Sequence, residues 1–243
     1  MKKTTLDRIL QSQGFGSRRE CRHLIREGRV SIAGQAVTEF REDIDPRGLV
    51  FEVEGEAWTF REKVYLALNK PRGYECSRRP SHHPGVLELL PAPYRVRDVQ
   101  PVGRLDHDTT GLLLLSDDGA FIHAQTSPKR QVPKTYLAST FDPVTPGLVQ
   151  ALAGGVKLDD EPAPLSAIAR RIDEHRIEMV LGQGKYHQVK RMLAAAGNHC
   201  TALCRTAIGG LLLDSLGLAE GQWRHLEPDH LARLVKSGPE SGA

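Results

Sequence analysis

The chain has 243 residues, 40% apolar and 26% charged, an ordinary balance for a globular protein and a length that suits two unequal domains. No apolar run approaches the roughly 20 residues needed to cross a bilayer, and no apolar segment follows the basic start at Lys2 and Lys3, so the expectation is a cytoplasmic protein without a signal peptide or membrane contact. The formal net charge is only +3, yet residues 1–30 hold eight Lys/Arg against Asp7, Glu20 and Glu27, and the other 213 residues sum to −2. Such asymmetry points to a polyanion gripped by the N-terminal segment.

Ser17 and Glu20 form a capping box, in which each side chain satisfies an orphan amide at a helix start. Arg18, Arg22 and Arg26 then recur every fourth residue and line one helical face. Cys21, Leu24 and Ile25 occupy another face and are expected to pack on a short preceding helix around Leu6, Ile9 and Leu10. Gly28 ends the helix, and Val30-Ser31-Ile32 alternates like a strand before a turn at Ala33-Gly34-Gln35. Residues 1–55 read as one small α/β domain, 56–63 as a polar linker, 64–236 as a second domain and 237–243 as a disordered tail.

The second domain opens at Val64-Tyr65-Leu66-Ala67-Leu68, and strand-like segments recur at 112–115, 135–139, 177–181, 201–205 and 211–213. The helices between them are too few and too irregular for a repeating strand-helix wind. The expectation is therefore α+β, a mainly antiparallel mixed sheet with flanking helices. Leu112 to Leu115 have no polar alternation, which predicts a strand covered on both faces. Immediately before them stands Gly103-Arg104-Leu105-Asp106-His107-Asp108-Thr109-Thr110-Gly111, a charged loop on the doorstep of that strand. Further on, Val189, Met192, Leu193 and Ala196 form the buried stripe of a helix whose other face carries His187, Lys190 and Arg191, inside an acid-free stretch from Met179 to Leu213.

Two sets of side chains suggest a metal. Asp106 and Asp108 could chelate Mg²⁺, but no other acidic cluster joins them, and Gly182-Gln183-Gly184-Lys185 is too short for a phosphate-cradling loop. His199, Cys200 and Cys204 lack a fourth zinc ligand at a recognisable spacing, and the two cysteines read as buried, inert thiols. Cys21, Cys76, Cys200 and Cys204 contain no Cys-x-x-Cys pair, in keeping with reduced thiols.

Gly103-Arg104-Leu105-Asp106 through Leu115 resembles the signature of the RNA pseudouridine synthases that act on ribosomal RNA. Gly184-Lys185-Tyr186-His187-Gln188-Val189-Lys190-Arg191-Met192 resembles their second signature, in the form of the small-subunit (16S) branch, the RsuA type. Lys134-Thr135-Tyr136 and Asn69-Lys70-Pro71-Arg72-Gly73 resemble two further motifs of that family. Residues 14–30 resemble the ribosomal-protein-S4-like RNA-binding domain, with Thr5 standing where that family often has arginine.

The resemblance implies the pseudouridine synthase fold and an isomerase of 16S rRNA, with a 23S enzyme of the same family or a non-catalytic assembly factor as alternatives. Asp106 would be the reacting carboxylate, Lys190 its basic partner, Tyr136 the residue stacked on the target base, and Arg104 an aid in displacing that nucleotide. RNA contacts would fall on Arg18, Arg19, Arg22, Arg26, Lys70, His187 and Arg191. The reaction breaks the N1–ribose bond, turns the base and rejoins it through C5. It is redox-neutral and imports no group, so no cofactor and no metal are expected, and rRNA is the partner of a monomer. A cation beside Asp106 would favour its ionised form.

Overall fold

A computed structural model describes residues 2–77 and 79–235. It divides into two compact units, one made of Met1–Val64 with Leu90–Gln100 and the other of Tyr65–Leu89 with Pro101–Ala243. The expected tail at 237–243 lies outside the described residues.

The first unit runs β1 (Thr4–Thr5), α1 (Leu6–Ser12), α2 (Arg18–Arg26), β2 (Val30–Ile32), β3 (Gln35–Ala36), β4 (Asp43–Ile44), β5 (Val50–Val53) and β6 (Glu56–Thr59). Strand β1 pairs with β4, and the others form a sheet in the order β3-β2-β5-β6. The predicted capping box starts α2: Glu20 N–H donates to Ser17 Oγ and Ser17 N–H to Glu20 Oε2. Leu6, Ile9 and Leu10 of α1 and Cys21 and Ile25 of α2 bury together against Val30, Phe51 and Val53. Ala33 and Gly34 both take left-handed φ (52° and 75°), the twist that a tight hairpin between β2 and β3 needs.

Two boundaries differ from expectation. The supposed linker at 56–63 begins as strand β6, paired along its whole length with β5. An edge strand needs little apolar pattern, and Trp58 supplies the anchor, edge-on to Phe15 and Tyr94. Leu90–Gln100, inside the stretch assigned to the second domain, belongs to the first unit. There α3 (Ala92–Val96) presents buried Tyr94 to Trp58, and Arg97 donates to Gln13 Oε1 and the Glu62 carbonyl, both at 2.8 Å.

The second unit contains β7 (Tyr65–Lys70), β8 (Gln100–Pro101, whose first residue is the last of the first unit), β9 (Thr110–Ser116), α4 (Gly119–Thr126), β10 (Lys134–Thr140), α5 (Pro146–Gly154), β11 (Ile168–Arg171), β12 (Arg176–Leu181), α6 (Gln188–Ala195), β13 (Cys200–Ile208), β14 (Leu211–Leu212), β15 (Trp223–His225) and α7 (Pro228–Arg233). Its sheet follows the order β11-β12-β10-β13-β9-β7-β15, with β14 on β13 and β8 on β9. Only β9 and β13 run parallel among the registered pairs, so the mixed, mainly antiparallel α+β sheet is as predicted. Strand β9 lies between β7 and β13, and Leu112 to Leu115 are all fully buried, covered on both faces as their unbroken run requires. Gly111 makes the β9–β13 approach possible: a Cβ there would stand 2.3 Å from the Arg205 carbonyl oxygen, and its φ of +99° suits glycine.

Candidate active site

The charged loop at 103–109 is pinned from below. Lys70, the last residue of β7, has no exposed surface, and its ammonium donates to the carbonyls of Pro71 (2.9 Å), His107 (3.3 Å) and Thr109 (2.9 Å). Gly73 N–H adds a bond to the His107 carbonyl, Thr109 N–H closes a turn on the Asp106 carbonyl, and Leu105 is buried with its N–H on Cys76 Sγ. Burial pushes the Lys70 ammonium down, partly offset by Asp108 and Asp106 nearby. The expected RNA contact at Lys70 is thus corrected. All three of its protons go to backbone oxygens under the loop, and its role is to shape that loop.

The loop presents Asp106 to the start of α6. His187, the N-cap, sits in the left-handed region at φ 48°, a strained position for a non-glycine residue. Its Nε2 lies 3.2 Å from Asp106 Oδ1, while Lys190 Nζ lies 3.2 Å from Asp106 Oδ2 and 2.6 Å from Asp108 Oδ1. Both oxygens of Asp106 therefore have a partner, and its side chain remains 28% exposed, open to a ligand. The predicted Asp106–Lys190 pair is present. What the sequence reading missed is that the lysine also bridges to Asp108, and more closely. Burial opposes the charge on Lys190 and Asp108 alike, yet their mutual bond holds Asp108 below and Lys190 above the ordinary values. The position between the two carboxylates, where a chelated Mg²⁺ would sit, holds the Lys190 ammonium.

Two other expected RNA contacts, Arg191 and His187, have partners within the unit, as does Lys185 beside them. Arg191 forms an ion pair with Asp160 and donates to the Tyr186 carbonyl, so its charge is compensated within the unit. Lys185 is held by Glu161 at 2.7 Å. His187 faces Asp106 on one side and stacks under exposed Tyr186, centroids 3.8 Å apart. Arg104 is exposed. Cys200 and Cys204 are half-buried, not fully buried as expected, and burial pushes both thiols up, away from the reactive thiolate.

Asp106, Arg104 and Tyr136 line one cavity of about 700 Å³, together with Lys134, Tyr186, His187 and Arg205. Tyr136 is buried on β10 and stands directly opposite Arg205 on β13. The sequence reading gave Arg205 and Lys134 no role as individual side chains. The signal available for Arg205 was the one charged residue in a strand of apolar and small polar residues.

In the first unit, the basic stripe also divides. Arg18 Nε and Arg22 Nε each lie 2.7 Å from Oδ2 of Asp7, whose side chain is wholly buried, and Thr5 Oγ1 donates to Oδ1. Burial would raise the Asp7 carboxyl, but these three hydrogen bonds together bring it down to about 2. Two of the four helix arginines expected to hold RNA are therefore structural in large part. Arg19 and Arg26 are exposed and, with Arg29 and His23, line a cleft of about 970 Å³ whose apolar wall includes Phe15 and Trp58.

Residues 64–195 match the RNA pseudouridylate synthase family, and residues 4–40 match the S4 domain. The chain belongs to the RNA pseudouridylate synthase family and is an RNA pseudouridine synthase preceded by an S4 domain. It is 37% identical to the ribosomal small subunit pseudouridine synthase A of Escherichia coli, across 95% of this chain and 99% of that protein. It is 36% identical to the Haemophilus influenzae protein of the same name, with 95% and 99% covered. A crystal structure of a pseudouridylate synthase with 36% identity superposes with a TM-score of 0.67, covering 95% of this chain and 99% of that one.

Proposed function

We propose that this protein converts a uridine of small-subunit (16S) rRNA to pseudouridine, with Asp106 as the reacting carboxylate and without metal or cofactor. The observation that carries the reading is Asp106 itself: an accessible carboxylate on a buried strand's doorstep, held at both oxygens by His187 and Lys190 and opening on a cavity with Tyr136. Lys190 lies against the carboxylate and orients it, and a carboxylate nucleophile divides a difficult displacement into two easier steps. Tyr136 packs against the inserted base, and Arg104 at the rim helps to hold it out of the RNA stack. Exposed Arg19 and Arg26 of the first unit neutralise backbone phosphates. The small-subunit target is supported by the names of the near-full-length relatives and by the Tyr186-His187-Gln188-Val189-Lys190 sequence.

The test is to incubate the protein with unmodified 16S and 23S rRNA, free and as assembling subunits, and to map pseudouridines. Prefolded RNA in excess EDTA is run in parallel. The expected result is a new pseudouridine in 16S alone, with the same chemical rate in EDTA. Product confined to 23S overturns the target, and a chemical step that needs added metal overturns the metal-free reading.

A further inference from the structure

Arg205 is the largest fully buried side chain described, with 2% of its surface exposed. Its Nε donates to the Leu112 carbonyl at 2.7 Å, and its Nη2 is shielded from solvent with no hydrogen-bond partner. Lys134 stands near it and, among the described residues, donates to the Val132 carbonyl alone. No carboxylate pairs with either cation among the described residues. Burial, reinforced by Arg205, pushes the Lys134 ammonium down to about 8, as expected for two cations sharing a site without a counter-ion. A buried, unpaired guanidinium is strongly unfavourable unless something else supplies the negative charge.

The register says where that charge would arise. Tyr136 and Arg205 are direct partners across β10 and β13, and Lys134 is two residues from Tyr136 on the same face. All three line the cavity that Asp106 faces. Breaking the N1–C1′ bond leaves the bonding pair on the base, as a uracilate whose charge is shared by N1, O2 and O4. When C5 rejoins C1′, that pair becomes the new C–C bond, the C5 hydrogen leaves as a proton and N1 takes one up. The detached base is thus a transient anion that must turn without escaping.

We propose that Arg205, with Lys134 beside it, is a catalytic residue that stabilises the detached uracilate on the floor of the cavity. This rests on the reading of Asp106 and Tyr136 given above. Fixed cations aimed at a charge that develops only during reaction act on rate more than on binding, and do so most strongly in a dry site. A phosphate contact would act on affinity instead.

The experiment measures single-turnover N1–C1′ cleavage and RNA dissociation constants for Arg205→Met, Arg205→Lys and Lys134→Met. Each is run on RNA carrying uridine or 5-fluorouridine at the target. Arg205→Met should react about 100-fold more slowly and Lys134→Met about tenfold more slowly, with RNA binding nearly unchanged. Arg205→Lys should recover part of the rate. Fluorine stabilises the anion, so every loss should shrink on 5-fluorouridine. Parental rates at saturating RNA with weakened binding would make Arg205 a phosphate contact and overturn the proposal, as would equal losses on both substrates. If Arg205→Met melts before assay, the other two variants decide: a loss insensitive to fluorine in both overturns it. Asp106→Asn run alongside separates the two claims. Its full activity would remove the reading beneath this one, whereas an inactive Asp106→Asn beside an unimpaired Arg205→Met sinks the uracilate role alone.

Discussion

Asp7 and Asp106 are each a carboxylate held by two basic side chains, and their surroundings set them apart. Asp7 is wholly buried, with Arg18 and Arg22 on one oxygen and Thr5 on the other, so no position remains for a ligand. Asp106 has both oxygens engaged by His187 and Lys190, but its side chain is still partly exposed on a cavity, and Lys190 is shared with Asp108. The first arrangement ties α1 to α2 and fixes a domain. The second leaves a carboxylate oriented and reachable, which is what a nucleophile or base requires. Similar ingredients thus serve structure or chemistry according to what the carboxylate can still touch.

The strongest way to sharpen the contrast is to remove the shared cation. Lys190→Ala leaves Asp106 and Asp108 facing each other and should slow the chemical step roughly 100-fold at saturating RNA, whereas Lys190→Arg keeps most activity. Single-turnover rates across pH check this, and a parental rate for Lys190→Ala would reduce the lysine to a backbone contact. Lys70→Met removes the three bonds beneath the loop, and we expect at least a tenfold loss of rate together with a lowered melting temperature. A variant that melts earlier but reacts normally would show that the loop keeps its shape without Lys70.

Acid should break the Asp7 cluster selectively. Its folded carboxyl lies near 2 against an ordinary 3.8, so its contribution to stability is present above about pH 4 and is lost as pH falls towards 2. Asp7→Asn should cost about 1.5–3 kcal/mol at neutral pH and flatten that acid dependence, as read by denaturant unfolding of the full chain. The smallest effect concerns the helix arginines. Arg19→Ala and Arg26→Ala should each lower the salt dependence of RNA binding by about one phosphate, and Arg18→Ala by less, because Arg18 already serves Asp7. Equal slopes for all three would mean that the Asp7 pairing does not withdraw Arg18 from RNA.

Much of this was legible in the sequence because it is local. The capping box at Ser17 and Glu20, the two-faced burial of Leu112 to Leu115 and the buried stripe of α6 each follow from spacing alone. The pairing of Asp106 with Lys190 was legible only through motif resemblance, since 84 residues separate them. Illegible features depend on distant partners. Nothing local tells that Arg18 and Arg22 turn inward to Asp7, that Lys70 is buried beneath a loop, or that residues 90–100 return to the first unit. Strands β6, β11 and β15 were missed because they are mostly polar edge or near-edge strands, where one face or one side needs no apolar pattern.

The most direct measurement sets Asp106→Asn beside Asp7→Asn, with single-turnover pseudouridine formation and thermal unfolding recorded for both. A crossover is expected. Asp106→Asn should form no detectable product while melting with the parent, because the amide keeps size and loses only the reacting charge. Asp7→Asn should melt several degrees lower yet react at the parental rate once RNA is saturating. Pseudouridine formation by Asp106→Asn within about tenfold of the parent would contradict the account.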